Sequence, residues 1–274
     1  MRPDRDDIGA PEFPDKLVWL GEAPESMAAL TAPGPVLVHF IDFAQLNSVR
    51  SLPYLVEWER RYGDAGLRVI GIQVARFPFG FDADVVGAGL ARLGVEFPVA
   101  IDPGRDLWRL YGCEGWPSLF LWGQGGALRW VHFGEGEYEA TEEAIQDELR
   151  EMDALRELPR PLDPLRVSDA TGAKVMPPSE EEFPGGEDWV QPWLSGVDGN
   201  QLKYSYAAGG VHATIEGAGH IAFQVDDAEL QSLAIEGTGL YTFAEHPHHE
   251  RHRIALQPEE GLAIWSVSFS AGVP

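Results

Sequence analysis

The chain has 274 residues, more than one hydrophobic core normally organises, so its length predicts two domains. It carries 44 Asp and Glu against 20 Lys and Arg, and the formal net charge of −24 argues against nucleic acid or anionic membranes as partners. The single cysteine, Cys113, rules out an intrachain disulfide, a multi-cysteine zinc site and a CxxC motif. No apolar run has the length of a membrane span or of a leader, so a cytoplasmic location is expected.

Residues 1–158 alternate strand and helix patterns, which predicts an α/β domain. Val36 to Ile41 and Leu67 to Val74 are apolar at nearly every position, as buried central strands are. Between them a helix is predicted, kinked at Pro53 because proline removes a helical hydrogen bond. The later predicted elements are a helix over 85–93, a strand over 97–101, a helical turn over 106–111, a hairpin of strands over 118–122 and 129–133, and a helix with Thr141 as N-cap.

The remaining chain changes character at residue 159. Six prolines and an acidic run within residues 159–188 predict a linker. From residue 189 to residue 274 no helical period occurs, and short alternating runs are separated by Gly and Asp turns, which predicts an all-β sandwich. The predicted strands are 202–206, 212–216, 220–225, 240–244, 253–256 and 262–269.

Four pieces of the first half carry a family resemblance: residues 40–53, 76–81, 108–117 and 132–136. In order and spacing they resemble the thioredoxin-like superfamily, and within it the TlpA or redoxin branch. The resemblance covers residues 12–157 and is closest to the soluble part of DipZ-like proteins and to the redoxin domain of NHL-repeat proteins. In DipZ-like proteins a sandwich resembling carbohydrate-binding modules follows, which implies a jelly-roll-like sandwich for residues 189–274.

The resemblance places the family's CxxC motif at the end of the first central strand. Its second cysteine stands five residues before the helix-kinking proline, here Pro53, so the motif positions are Gln45 and Ser48 and both thiols are absent. Neither side chain supports thiol exchange, which needs a thiolate and a mixed disulfide. The peroxidatic cysteine of related peroxidases lies near the same turn, so the resemblance implies that peroxidase activity is absent as well. What carries over is the family's cis-proline, implied here at Pro117 after Trp116.

Two side chains in this region have an ordinary structural interpretation. Ser48 stands where a helix begins, which predicts an N-cap rather than a nucleophile, because no histidine lies nearby in sequence to act as its base. Asp42 and Gln45 are expected to line a small polar pocket, in which helix amides favour an anion or a backbone carbonyl. Cys113 is expected to be a buried small hydrophobe with a raised pKa, and a redox-sensing thiol is the alternative.

The second half offers two candidate sites. His246, His248, His249 and His252 lie in the stretch HPHHERH, where His249 and His252 would share a face for zinc or nickel, but a solvated Pro-containing loop is the expected structure. Several aromatic side chains suggest a stacking surface for sugar rings, although aromatics at strand spacing are more often core: Trp189, Trp193, Tyr204, Tyr206 and Trp265.

The sequence therefore predicts a thioredoxin-like domain without a dithiol, joined to a β-sandwich. Its expected function is non-redox binding of a peptide or protein, as an adaptor or chaperone-like module, in a groove formed by Asp42, Gln45, Ser48, Arg76, Trp116 and Pro117. We expect no cofactor, and we do not expect the chain to be an active dithiol oxidoreductase. A homodimer is left open. The alternatives are a single-cysteine redox protein that uses Cys113, and sugar or metal binding by the sandwich.

Overall fold

A computed structural model describes residues 1–3, 8–186 and 190–274. By their contacts they form two compact units. The first unit comprises Met1–Phe43, Asn47–Leu165 and Asp169–Thr171, and the second comprises Ala44–Leu46, Arg166–Ser168 and Gly172–Pro274. The domain limits at residues 158 and 189 and the linker between them stay predictions.

The first unit is a six-stranded sheet with helices, in the strand order β1-β4-β3-β2-β5-β6. Strand β3 runs parallel to β2 and β4, whereas β1, β5 and β6 pair antiparallel with their neighbours. The elements are β1 (Val18–Leu20), α1 (Met27–Thr31), β2 (Val36–Ile41), α2 (Leu46–Tyr62), β3 (Arg68–Gln73), a 3₁₀ turn (Pro78–Phe81), α3 (Ala83–Arg92), β4 (Val99–Ile101), α4 (Asp106–Leu110), β5 (Ser118–Trp122), β6 (Leu128–Phe133) and α5 (Tyr138–Met152).

The sequence pattern explains the centre of this sheet. Strand β2 is buried at all six positions, in keeping with its place between β3 and β5 in the middle of the sheet. Helix α2 continues through Pro53 and ends after two arginines, Arg60 and Arg61, which suit the negative end of the helix dipole.

Two predicted N-caps are wrong. Helix α5 begins at Tyr138, so Thr141 lies inside it, is buried, and accepts a hydrogen bond from the Trp130 indole at 3.1 Å. Ser48 is the third residue of α2 rather than its N-cap, and its hydroxyl accepts the amide of Asp42 at 3.1 Å. Both hydroxyls accept hydrogen bonds from donors that lie outside their own helix. Local sequence does not indicate which donors these are.

A buried carboxylate on α5 holds the chain that follows this helix. Glu142 accepts hydrogen bonds from the Trp58 indole at 3.1 Å, from the Tyr62 hydroxyl and from the Leu162 amide at 2.9 Å, and it pairs with Arg61 at 3.2 Å. Its side chain is 2 % exposed. Four donors therefore compensate the cost of burying this charge.

The same stretch of chain is fixed at a second point. The Tyr54 hydroxyl accepts the Leu165 amide at 2.8 Å and donates to Asp169 at 2.8 Å, and the Tyr54 ring stacks on Tyr138 with 3.7 Å between centroids. Residues 159–165 and 169–171 are thus bonded to α2 and α5 at several points.

The second unit is all β, with six antiparallel strands in the order β10-β9-β11-β8-β12-β7. The strands are β7 (Trp193–Leu194), β8 (Leu202–Glu216), β9 (Gly219–Val225), β10 (Gln231–Ile235), β11 (Gly239–Pro258) and β12 (Ala263–Ser270). Strand β11 contains an irregular segment, residues 246–249, between the pairs Glu245↔Gly210 and Glu250↔Ala208.

The two halves of the long strands face one another, which makes the unit a β-sandwich. Phe223 is opposite Leu256 on the second half of β11, yet its ring contacts Phe243 of the first half with 5.2 Å between centroids. In the same way the ring of Tyr206 stacks on Phe269 of β12 at 4.9 Å. Apolar side chains from both layers fill the space between them.

Strand lengths differ from the sequence prediction. The runs predicted at 202–206 and 212–216 are one strand, and so are those at 240–244 and 253–256, while β10 was not predicted. Gly209 and Gly210 look like a turn in the sequence but lie within β8. A side chain at Gly209 would place its Cβ 2.6 Å from the Ala271 carbonyl oxygen, so glycine here allows close packing rather than a reversal.

Candidate functional site

The turn between β2 and α2 is held by a buried polar network. The Asp42 carboxylate accepts the Arg76 amide at 2.8 Å and the Gln73 side-chain amide at 3.3 Å, while the Phe43 amide donates to Gln73 Oε1 at 3.0 Å. Asp42, Gln73 and Ser48 are each at most 1 % exposed. Asp42 and Ser48 are therefore buried members of the network that holds the turn, and Gln45, the residue that precedes α2, is half-buried.

Trp116 and Pro117 lie beside this turn, at the start of β5. The Trp116 indole donates to the Val74 carbonyl at 2.9 Å, and its ring lies 4.8 Å from that of Trp108 and 5.6 Å from the Arg105 guanidinium. The Trp116–Pro117 peptide bond is cis. The Trp116 ring is thus anchored to the segment that leads from β3 to Arg76.

The predicted groove residues come from three elements that end at one edge of the sheet. Asp42 and Ser48 follow β2, Arg76 follows β3, and Pro117 precedes β5, which pairs with β2 through Ser118↔Phe40. Asp42, Ser48 and Arg76 share hydrogen bonds, and Trp116 bonds to Val74, two residues before Arg76. We call this edge the cis-proline groove.

Sequence reasoning missed the polar residues beneath the groove. Gln73 ends the apolar run of β3, and His39 interrupts that of β2, so a polar residue inside a buried strand was the available signal. His39 is 1 % exposed, its Nε2 lies 3.5 Å from the Ser51 hydroxyl, and Nδ1 has no hydrogen-bond partner among the described residues. Burial, with a smaller contribution from His132, lowers the pKa of His39 to about 3.

We expect His39 to make the first unit sensitive to mild acid. Its pKa is about 3 folded and about 6.5 unfolded, so the unfolded chain binds more protons between these values and stability falls as the pH falls below 6.5. The loss from this group between pH 7 and pH 5 is about 2 kcal/mol. Urea unfolding followed by hydrogen exchange of the β2 peptide measures it, and His39→Leu is expected to remove this part of the loss. His220→Leu, at an exposed site in the second unit, is the control; equal pH dependence in both variants would contradict the assignment.

Cys113 is 7 % exposed in the core of the first unit, among Phe40, Trp108 and Tyr111. Burial raises the pKa of its thiol to about 12, against a lowering contribution from a hydrogen bond with Ser118. The thiolate, which is the reactive form, is therefore strongly disfavoured at neutral pH.

The histidine-rich stretch of the second unit is not a loop but the irregular segment of β11. His246 stacks on His252 with 3.6 Å between ring centroids; His246 Nε2 bonds to the Tyr206 hydroxyl at 2.9 Å, and His252 Nδ1 to Asp226 at 2.7 Å. His248 and His249 instead contact the last residues, at the Pro274 and Val273 carbonyls. In the part of the chain that the structure describes, no group of three His, Cys, Asp or Glu side chains is arranged to hold a metal.

The aromatic residues considered for sugar stacking do not form an exposed surface. Trp193, Tyr206 and Trp265 are at most 6 % exposed, and Tyr204 is half-buried against the sandwich core. Trp189 lies outside the described residues. Within residues 1–3, 8–186 and 190–274, no helix has the length and apolarity needed to cross a membrane.

The chain is similar to two kinds of curated protein. It is 32 % identical to protein DipZ of Mycobacterium bovis over 155 residues, which are 56 % of this chain and 22 % of DipZ. It is 31 % identical to human NHL repeat-containing protein 2 over 132 residues, which are 47 % of this chain and 18 % of that protein. The chain thus spans about a fifth of the length of these relatives.

No protein-family profile matches the chain. Among solved structures, a thiol-disulfide isomerase from Corynebacterium glutamicum is 20 % identical with a TM-score of 0.46, and the match covers 51 % of this chain and 96 % of that one. The mixed sheet of the first unit and the cis-proline before β5 agree with the predicted thioredoxin-like fold. The first unit of this chain thus has a thioredoxin-like fold, and its sequence is similar to part of DipZ and to part of NHL repeat-containing protein 2.

Proposed function

We propose that the first unit binds an extended peptide segment of another protein in the cis-proline groove without thiol exchange, as an adaptor or chaperone-like module. The observation that carries this proposal is the main chain at Trp116. Among the described residues, neither its N–H nor its C=O has a hydrogen-bond partner, although the residue is half-buried. Main-chain groups of this kind pair with an added strand, as in other peptide-binding domains.

The side chains around Trp116 support the same proposal. The ring is fixed by its bond to Val74 and by contact with Trp108, so little side-chain freedom would be lost on binding. A rigid, half-exposed tryptophan is also the residue type most enriched among strong contributors to protein interfaces.

The proposal excludes disulfide exchange for chemical reasons. The motif positions of the family correspond to Gln45 and Ser48, which have no thiol, and Ser48 is fully buried with its hydroxyl engaged by the Asp42 amide. The only thiol, that of Cys113, is buried with a raised pKa. Binding is the family activity that needs none of these sulfurs. The proposal retains the expectations of a cytoplasmic location and of no cofactor.

The test is peptide binding by the full chain. A library of fluorescent, unstructured peptides of about ten residues is screened by anisotropy, and affinities of the best binders are measured for Trp116→Ala. We expect at least a tenfold loss, because truncating a central interface tryptophan costs about 2 kcal/mol or more.

The matched control is Trp130→Ala, which removes another half-buried tryptophan of the same unit, one whose indole bonds to Thr141. Equal affinities of the two variants, or no peptide binding at millimolar concentration, would refute the proposed groove.

A further inference from the structure

The second unit is acidic, but three of the four basic residues in its main segment, residues 172–274, lie together on one face. Residues 172–274 contain fifteen Asp and Glu and only four Lys and Arg, namely Lys174, Lys203, Arg251 and Arg253. Three of these four lie on the paired strands β8 and β11. A solvent-exposed sheet face requires polar side chains, but solvation alone does not explain why these basic residues lie together.

The strand register places the three cations on the same face. Arg253 is opposite Ser205, Arg251 is opposite Ala207, and Lys203 is opposite Ala255, so each lies in an alternate row of the ladder. The intervening side chains, Tyr204, Tyr206 and Ile254, belong to the sandwich core. Arg251 and Arg253 are two residues apart on one strand, which separates their backbone positions by roughly 7 Å.

Two adjoining cavities lie along this face. One has a volume of about 790 Å³ and includes Arg251 and Arg253 in its wall, and the other has about 390 Å³ and includes Lys203 and Arg253. They share Ser205, Asp226, Asp227 and Arg253. Both volumes are in the range of small-ligand sites, and both cavities are open to solvent.

Of the two carboxylates in the cavities, Asp226 is committed to groups other than the three cationic side chains, whereas Asp227 pairs weakly with one of the three. Asp226 accepts His252 Nδ1 at 2.7 Å and the Arg253 amide at 2.8 Å, and Asp227 is 3.5 Å from the Arg253 guanidinium. Within residues 1–3, 8–186 and 190–274, the side chains of Lys203 and Arg251 have neither an ion pair nor a hydrogen bond. Like charges on neighbouring positions of a sheet face repel each other, so this arrangement is favourable when an anion lies between them.

We propose that this face, formed by Lys203, Arg251 and Arg253, is a binding site for a small molecule that carries two or more oxyanion groups. A guanidinium presents a planar fork that matches a carboxylate or a phosphate, and the lysine ammonium adds a point charge. The Ser205 hydroxyl lies on the walls of both cavities and supplies a neutral donor; in the smaller cavity the Gln224 amide adds the N–H that remains beside its bond to the Ala228 carbonyl. All of these residues belong to the second unit, so this site is independent of the cis-proline groove.

The test is calorimetric titration of the full chain with pyrophosphate and with citrate, and with glucose as a neutral control. About 0.15 M salt is used, because the Debye length is then about 8 Å and distant acidic residues are screened while direct contacts are not. We expect binding of at least one anion and none of glucose. Citrate alone would indicate a carboxylate ligand, and pyrophosphate alone a phosphate ligand.

Three charge-removing variants locate the site. Arg251→Gln and Lys203→Gln lie on different strands and are both expected to weaken binding at least tenfold. Lys174→Gln removes the fourth, exposed cation of residues 172–274 and is expected to bind within twofold of the original chain. Thermal melting of each variant verifies folding.

The proposal is overturned if neither anion binds at millimolar concentration, or if Lys174→Gln weakens binding as much as the other two variants. The latter result would mean that net charge alone governs the affinity. Because both Lys203 and Arg251 are exposed and lack partners in the described chain, loss of fold is not expected to obscure either outcome.

Discussion

Replacing Gln45 and Ser48 together by cysteine is expected to give the chain a working dithiol. Two thiols would stand at the start of α2, where helix amides lower a thiol pKa and favour the nucleophilic thiolate. The original chain is expected to show no catalysis of insulin reduction by dithiothreitol, and the double variant is expected to show clear turnover. Thiol titration of the native variant is expected to give one reactive group when reduced, at the half-buried position 45, and none after oxidation. Cys113 should appear only on denaturation, because it is buried.

The matched control is the double variant Gln45→Ser, Ser48→Ala, which changes the same positions without adding sulfur. It is expected to remain inactive and to keep its fold. If the two introduced thiols both stay free after oxidation, then positions 45 and 48 are not the motif positions, and the non-redox proposal loses its structural basis.

Replacing Glu142 by alanine is expected to cause the largest loss of stability in the first unit, about 3 to 5 kcal/mol. The change leaves the Trp58 indole, the Tyr62 hydroxyl and the Leu162 amide without their acceptor, and Arg61 without its buried counter-charge. An unsatisfied buried donor costs about 1 to 3 kcal/mol, so the combined effect exceeds that of an ordinary surface substitution severalfold.

Glu143→Ala is the control, since Glu143 is an exposed neighbour on the same helix. Urea unfolding read by hydrogen exchange of α2 and α5 separates this unit from the second one. Faster exchange at Leu162 under native conditions is expected in Glu142→Ala only. A loss of unfolding free energy below 1 kcal/mol would contradict this prediction, because it would show that water can replace the buried carboxylate at little cost.

Much of the first unit could be predicted because its signals are local. The run 36–41 and the run 118–122 have the bounds of β2 and β5, since unbroken apolar stretches leave few alternatives to a buried strand. The hydroxyls of Ser48 and Thr141 could not be predicted, because the donors they accept come from Asp42 and Trp130, which only the fold brings near.

The candidate sites, too, could be predicted from the sequence only in part. Trp116, Pro117 and Arg76 were found from the order of family motifs along the chain, but the network through Gln73 that joins them to Asp42 was not. In the second unit Lys203 and Arg253 are 50 positions apart, and only the register of β8 on β11 makes them diagonal neighbours. Register over a twenty-residue strand with an irregular segment is not fixed by alternation alone.

The bonds between residues 159–171 and helices α2 and α5 bear on how the first unit can be isolated for study. A fragment that stops at residue 158, where the sequence pattern changes, would lack the Leu162 and Leu165 amides and the Asp169 carboxylate. Glu142 and the Tyr54 hydroxyl would then lose partners that they have in the full chain. Recombinant fragments of the thioredoxin-like unit should therefore extend through Thr171, whose hydroxyl bonds to Glu139, so that the proline-rich tail is treated as part of the fold.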